Sequence, residues 1–209
     1  MTTDELLNMY AMGLFPMAEY REDDGFDFFA PYTRALLPIS QLHVPRRLRR
    51  KALQYPFVIK VDTAFTEVIN ACANVRDATW INNDIIAQYN QLHMDGFAHS
   101  VECWQEGKLV GGLYGVSLGG TFCGESMFSH VSDASKIALI HLCARLSRGG
   151  YIQLDSQFRN PHLDQFGLYE IPQDNYIAKM QNHLSDTPLF IQKDYDERKS
   201  VEHFLQHAL

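Results

Sequence analysis

Two short stretches hold residues whose types suit chemistry. In Phe122-Cys123-Gly124-Glu125-Ser126-Met127-Phe128, Glu125 is the only charge among apolar and small neighbours. Side chains alternate across a strand, so this carboxylate either faces water at a sheet edge or is buried and paired. Burial without a partner would be costly and would raise its pKa. Gly124 beside it leaves backbone room for a ligand. The second stretch is Tyr151-Ile152-Gln153-Leu154-Asp155-Ser156-Gln157. Ile152 and Leu154 alternate with the polar residues, which puts Asp155 and Gln157 about 6–7 Å apart on one face. Such a face is either exposed to solvent or lines a cleft. In a cleft, an Asp and a Gln together can orient a nucleophile and stabilise developing charge.

Other chemistries find less support. Cys72, Cys103, Cys123 and Cys143 are too far apart for a zinc or redox motif and read as small buried hydrophobes. His93 and His99, and His203 and His207, lack a third ligand, so no metal is expected. Ser126, Ser129 and Ser135 sit in no nucleophile elbow. The glycines of Val110-Gly111-Gly112-Leu113-Tyr114-Gly115 lack phosphate-loop spacing.

The elements that must position Glu125, Asp155 and Gln157 follow from periodicity and turn residues. Strands are expected over 98–105, 108–117 and 120–127, with turns at Glu106-Gly107 and Gly119-Gly120. A helix over 133–147 stops at Gly149-Gly150, and a strand over 151–157 follows. Further helices fit 3–12, 65–73, 83–94 and 174–184, with a strand over 57–61. Residues 28–45 contain Pro31, Pro38 and Pro45 and read as extended and irregular. A helix between two strands implies a crossover, hence a mixed sheet. The class expected is α+β. Residues 1–57 form a small N-terminal domain, 58–190 a larger sheet-centred domain, and 191–209 a charged tail.

The 209 residues suit one domain with a small annex. No apolar run is long enough to span a bilayer, and the acidic start Met1-Thr2-Thr3-Asp4-Glu5 is not a signal peptide, so a cytoplasmic protein is expected. A net charge of −7 argues against a general nucleic-acid binder. One spot differs: Arg46-Arg47-Leu48-Arg49-Arg50-Lys51, which is either a solvated helix face or a local contact for a few phosphates.

Taken together, ordered motifs along most of the chain resemble one family. They are Gly13-Leu14-Phe15-Pro16, Thr79-Trp80-Ile81, the Ala87 to Trp104 segment with Tyr89, His93, Gly96, His99 and Glu102, and Leu109 to Val116. Phe122-x-Gly124-Glu125-Ser126-Met127-Phe128-Ser129, Ala134-Ser135-Lys136 and Asp155-x-Gln157 complete the set. The family is the leucyl/phenylalanyl-tRNA–protein transferases. The resemblance implies transfer of leucine or phenylalanine, with methionine a third donor to test, from aminoacyl-tRNA to a protein N-terminus bearing arginine or lysine. The product is marked for degradation through an N-degron pathway. It also implies a small N-terminal domain on a C-terminal domain similar to the GCN5-related N-acetyltransferases, and no cofactor.

By resemblance, the reactive pair falls on Asp155 and Gln157 and the acceptor-contacting carboxylate on Glu125. The aminoacyl ester is already activated, so the task is to present a neutral amine to it. The donor side-chain pocket maps to Met17, Trp80, Leu113, Phe122, Leu139, Leu142, Leu146 and Leu154. The tRNA contacts map to Arg46, Arg47, Arg49 and Arg50. Three departures stand out. Phe28-Phe29-Ala30-Pro31 replaces a tryptophan pair, Met17 stands where a tryptophan can follow, and Gln173 replaces an arginine. Two rivals are a coenzyme-A-dependent N-acetyltransferase on the same fold, whose pyrophosphate loop is not found in the sequence, and a non-catalytic binder of tRNA or peptide N-termini.

Overall fold

The computed structural model describes residues 1–75 and 79–209. The first elements are α1 (Thr3–Ala11), β1 (Phe15–Met17), β2 (Asp27–Phe29), β3 (Thr33–Leu37), α2 (Arg46–Ala52), β4 (Val58–Val61), α3 (Phe65–Ala73) and α4 (Asn83–Met94). They are followed by β5 (Ala98–Gln105), β6 (Lys108–Leu118), β7 (Thr121–Ser129), α5 (Ala134–Gly149) and β8 (Gln153–Asp155). The chain ends with α6 (Pro161–Asp164), β9 (Tyr169–Pro172), α7 (Gln173–Asn182) and α8 (Glu197–His207).

Local signals explain most of these boundaries. Thr2 and Glu5 form a capping box that starts α1. Asn82 caps α4 through its side chain. Glu106 and Gly107 both take positive φ, as a tight hairpin turn requires, and join β5 to β6. Gly150, at φ 86°, ends α5 in the left-handed conformation that glycine adopts without strain.

Seven strands form one sheet in the order β4-β5-β6-β7-β8-β3-β9, and β1 pairs with β2 separately. Neighbours in the large sheet are antiparallel except β7 and β8, which α5 connects as a crossover. The fold is therefore mixed α+β with a mostly antiparallel sheet. Apolar side chains alternate between its faces. Phe122, Leu113 and Leu154 join α5 and α8 in one core. Cys123, Tyr114 and Leu36 join α1, α3 and α4 in the other.

Three expectations need correction. Residues 28–45 are not wholly irregular: β3 lies inside the large sheet between β8 and β9, so the N-terminal 57 residues complete that sheet. The strand expected over 151–157 keeps ladder geometry only in Gln153–Asp155, because the chain turns at Gln157. The tail is built in. Val201, Phe204 and Leu205 of α8 are core residues, and Glu197 bonds His141 and Arg145 on α5. Its charges lie on the outer face of an amphipathic helix, which composition alone does not distinguish from a free tail. Among the described residues no helix is long and apolar enough to cross a membrane.

Candidate active site

The parallel pair β7–β8 holds for three rungs, Thr121↔Gln153, Phe122↔Leu154 and Cys123↔Asp155, and then the strands part. A cavity of about 470 Å³ lies in this fork, lined from Gly124 to Met127 on one side and from Leu154 to Pro161 on the other. That size suits a small ligand. The cavity lining draws on both cores: Leu37, Leu113, Leu139, Leu142 and Leu154 belong to the α5 core, and Phe15, Met17, Cys72, Trp80, Ile81 and Tyr114 belong to or pack against the α3/α4 core.

Of the eight expected pocket residues, Met17, Trp80, Leu113, Leu139, Leu142 and Leu154 line the cavity. Phe122 and Leu146 do not. Phe122 stacks on Phe190 with ring centroids 5.4 Å apart, and Leu146 is fully buried behind the lining. Periodicity places both on the correct face, but only depth along the strand or helix separates wall from core. Phe28 and Phe29 lie in β2 outside the lining, whereas Phe158 stands at the cavity edge, edge-on to Phe15. Gln173 donates to the Gly13 carbonyl at 2.9 Å.

Asp155 is fully buried at the base of the fork. Arg34 of β3 grips it: Nε lies 2.9 and 3.0 Å from the two carboxylate oxygens, and Nη2 lies 2.7 Å from Oδ2. Tyr176 donates a further bond at 3.0 Å. The Arg34 guanidinium also donates to the Gly13 carbonyl and lies against the rings of Tyr176 and Phe15. Burial disfavours its charge, but the adjacent Asp155 more than offsets this and holds the Arg34 pKa above its usual value.

Asp155 controls Gln157 through the backbone. Its Oδ1 accepts the Gln157 N–H at 2.9 Å, and Gln157 takes φ 55°, a left-handed conformation uncommon outside glycine. The turn delivers the Gln157 amide to Glu125, with Nε2 donating to Oε1 at 3.1 Å. Glu125 reaches this point through a β-bulge. Tyr114 pairs with Ser126 and Gly115 with Gly124, leaving Glu125 as the extra residue. Its other partners are the Tyr10 hydroxyl of α1 and the Tyr89 hydroxyl of α4, each 2.8 Å away. Burial pushes the Glu125 pKa up to about 7, the two tyrosine bonds oppose the rise, and the Asp155 charge adds to it.

The three expected reactive residues thus meet in one network. Arg34, Tyr10, Tyr89 and Tyr176 also belong to it, and of these only Tyr89 falls in the resembling motifs, with no role attached. Arg34 is a lone charge in Thr33-Arg34-Ala35-Leu36-Leu37, the same signal that marks Glu125. Tyr10 and Tyr89 give no such signal, because each reads as an ordinary buried aromatic on its helix. Among the described residues no group of His, Cys, Asp or Glu is placed to hold a metal ion.

The basic helix divides. Arg46, Arg47 and Arg50 are exposed, with Arg47 bonded to Asp133 at 3.3 Å. Arg49 instead donates to the carbonyls of Leu205, Ala208 and Leu209 and fastens the end of α8. Arg49 is therefore committed to the fold, apart from the other three.

The fold is shared with a solved structure, the crystal structure of FemX, at a TM-score of 0.51 and 12% identity. The likeness covers 81% of this chain and 66% of that one, and it concerns the fold alone. Sequence gives the family. The model of the Leucyl/phenylalanyl-tRNA protein transferase family matches residues 36–181. The Leucyl/phenylalanyl-tRNA--protein transferase of Hyphomonas neptunium (strain ATCC 15444) is 53% identical over 184 residues, 87% of this chain and 71% of that protein. That of Phenylobacterium zucineum (strain HLK1) is 53% identical over 184 residues, 87% of this chain and 83% of that protein. The chain belongs to the leucyl/phenylalanyl-tRNA–protein transferase family, a family of enzymes.

Proposed function

We propose that this protein moves leucine or phenylalanine, and as a third donor methionine, from aminoacyl-tRNA to the N-terminal arginine or lysine of acceptor proteins. The modified N-terminus then serves as a degradation signal, and the reaction takes place in the cytoplasm. The observation that carries this reading is the fork. Its cavity sets apolar walls from both cores beside Glu125, Asp155 and Gln157, with Gln157 bonded to Glu125. The donor side chain enters between Met17, Trp80, Leu113, Leu139, Leu142 and Leu154, where apolar contact recognises it. A mismatch in side-chain shape there is worth about 1–3 kcal/mol.

Glu125 attracts the cationic acceptor N-terminus within the same cavity. Gln157 donates to Glu125 through its amide nitrogen, leaving the amide oxygen to accept from the attacking amine. Asp155 sets the Gln157 turn. Arg46, Arg47 and Arg50 meet acceptor-stem phosphates, which position the tRNA without reading its sequence. The larger part of the chain is read as similar to the GCN5-related N-acetyltransferases, with the donor held where the strands part.

A transfer assay tests this. Purified protein is mixed with radiolabelled leucyl-, phenylalanyl- or methionyl-tRNA and peptides beginning with arginine, lysine or alanine. Labelled acetyl-coenzyme A serves as the competing donor. Label passing from aminoacyl-tRNA to the arginine and lysine peptides alone is the expected result. Label from acetyl-coenzyme A only, or none from any donor with folded protein, would overturn the reading.

A further inference from the structure

Tyr10, Tyr89 and Glu125 form a closed ring of polar contacts. The Tyr10 hydroxyl lies 2.8 Å from Glu125 Oε1, the Tyr89 hydroxyl lies 2.8 Å from Oε2, and the two hydroxyl oxygens are 2.5 Å apart. Three contacts require three protons. Two tyrosines supply two. When Glu125 is ionised, one contact has no hydrogen atom between its oxygens. When Glu125 is protonated, every contact is filled: Oε2–H donates to Tyr89, Tyr89 to Tyr10, and Tyr10 to Oε1. Oε1 then accepts from Tyr10 and from the Gln157 amide, which matches its two lone pairs. The ring is thus built to receive one proton.

We propose that Glu125 is the base that takes the proton of the acceptor's terminal ammonium, and that Tyr10 and Tyr89 form the ring that holds it. This rests on the aminoacyl-transfer reading and specifies its proton balance. The ammonium N–H bond breaks as the Glu125 O–H bond forms, leaving a neutral amine. The amine nitrogen attacks the ester carbonyl carbon and the carbon–oxygen bond to the ribose breaks. A second amine proton goes to the departing ribose oxygen. One amide and one hydroxyl are formed, and the one net proton released is the one on Glu125.

The surroundings fit this role. Among the described residues no cation is bonded to Glu125. Asp155 is the nearest other carboxylate influence, and its charge raises the Glu125 pKa while Arg34 lowers it. Tyr114 of β6 and Cys72 of α3 also line this cavity, and Cys123 of β7 is buried in the adjoining core. All three titrate well above the neutral range because of burial. Tyr10 and Tyr89 are likewise pushed up by burial, so they relay and hold protons without ionising. Glu125, at about 7, is the group of this cluster suited to exchange a proton near neutrality.

The test is the pH profile of kcat/KM for an arginine peptide, with leucyl-tRNA as donor, in the wild type and in E125Q, Y10F and Y89F. Circular dichroism establishes that each variant folds. The wild type is expected to show a rising limb near pH 7. In E125Q the rate falls by about 100-fold or more. Its limb moves up to the amine's own value of about 8, because only free amine can then react. Y10F and Y89F each open the ring and remove one bond to Glu125, so their limbs move from the wild-type position by about half a unit or more. A limb unchanged in all three variants overturns the proposal, since tyrosines that merely pack would not move it. If E125Q fails to fold, the Y10F and Y89F profiles decide alone. Absence of transfer by the wild type would instead refute the aminoacyl-transfer reading itself.

Discussion

Asp155 and Glu125 are two carboxylates of one network with opposite surroundings. Asp155 is enclosed by the Arg34 guanidinium, the Tyr176 hydroxyl and the Gln157 backbone N–H. The donors to Glu125 among the described residues are all neutral: Tyr10, Tyr89 and the Gln157 amide. A buried carboxylate whose charge is fully matched serves as an anchor. One held by neutral groups keeps both protonation states within reach. The first fixes geometry and the second is free to act on a substrate.

The largest effect should come from breaking the matched pair. Asp155→Ala leaves Arg34 charged and buried without a partner, and truncating one member of such a pair costs about 3–5 kcal/mol. The variant should melt well below the wild type and also lose transfer, because Gln157 loses the bond that holds its turn. Arg34→Met should destabilise by a similar amount. The double variant R34M/D155L removes both charges and should regain much of the stability without regaining transfer. Denaturant unfolding paired with the transfer assay separates the two quantities. Wild-type stability in D155A would remove the anchor from the account.

The unmatched carboxylate predicts a pH dependence of stability. In the folded protein its pKa is about 7, against an ordinary value of 4.5. The folded state therefore holds more protons than the unfolded state between these values. The stabilising contribution is complete below pH 4.5 and declines as pH rises to about 7. Glu125→Gln cannot ionise, so its stability relative to the wild type should rise across that window and level off above it. The change is on the order of 1–3 kcal/mol. Parallel pH–stability curves for E125Q and the wild type would show that Glu125 is not held by burial in this way.

The contrast between the carboxylates also explains what is legible in the sequence. Glu125, Asp155 and Gln157 stand out because a charge or amide in an apolar strand needs a reason. Glycine and hairpin signals place β5, β6 and β7 well, since those cues are local. Arg34 carries the same mark but lies in a proline-rich stretch whose strand forms only because β8 and β9 are available on either side. Its partner Asp155 is 121 residues away, and no local pattern records that pairing. Tyr10 and Tyr89, 79 residues apart, meet only because α1 and α4 pack on the same sheet face. The depth of Phe122 and Leu146 behind the cavity is likewise a tertiary fact.

The smallest expected effect applies the same distinction to α2. Arg49 is matched to the α8 carbonyls, whereas Arg46 and Arg50 make no ion pair among the described residues. Arg46→Glu and Arg50→Glu should leave the melting temperature nearly unchanged, because exposed charges contribute little to stability. They should weaken tRNA binding and reduce the salt slope of the affinity by about one for each phosphate no longer neutralised. Arg49→Met should do the reverse. It removes the Arg49 donors from Leu205 and Ala208, while the Leu209 oxygen keeps the Val44 N–H, lowering stability by about 1 kcal/mol and leaving the salt slope intact. Filter binding of aminoacyl-tRNA over a salt series, beside thermal melts of the same three variants, measures both. A salt slope that falls in R49M and holds in R46E and R50E would invert the assignment. The tRNA-facing surface of α2 would then be the side now packed against the C-terminal helix.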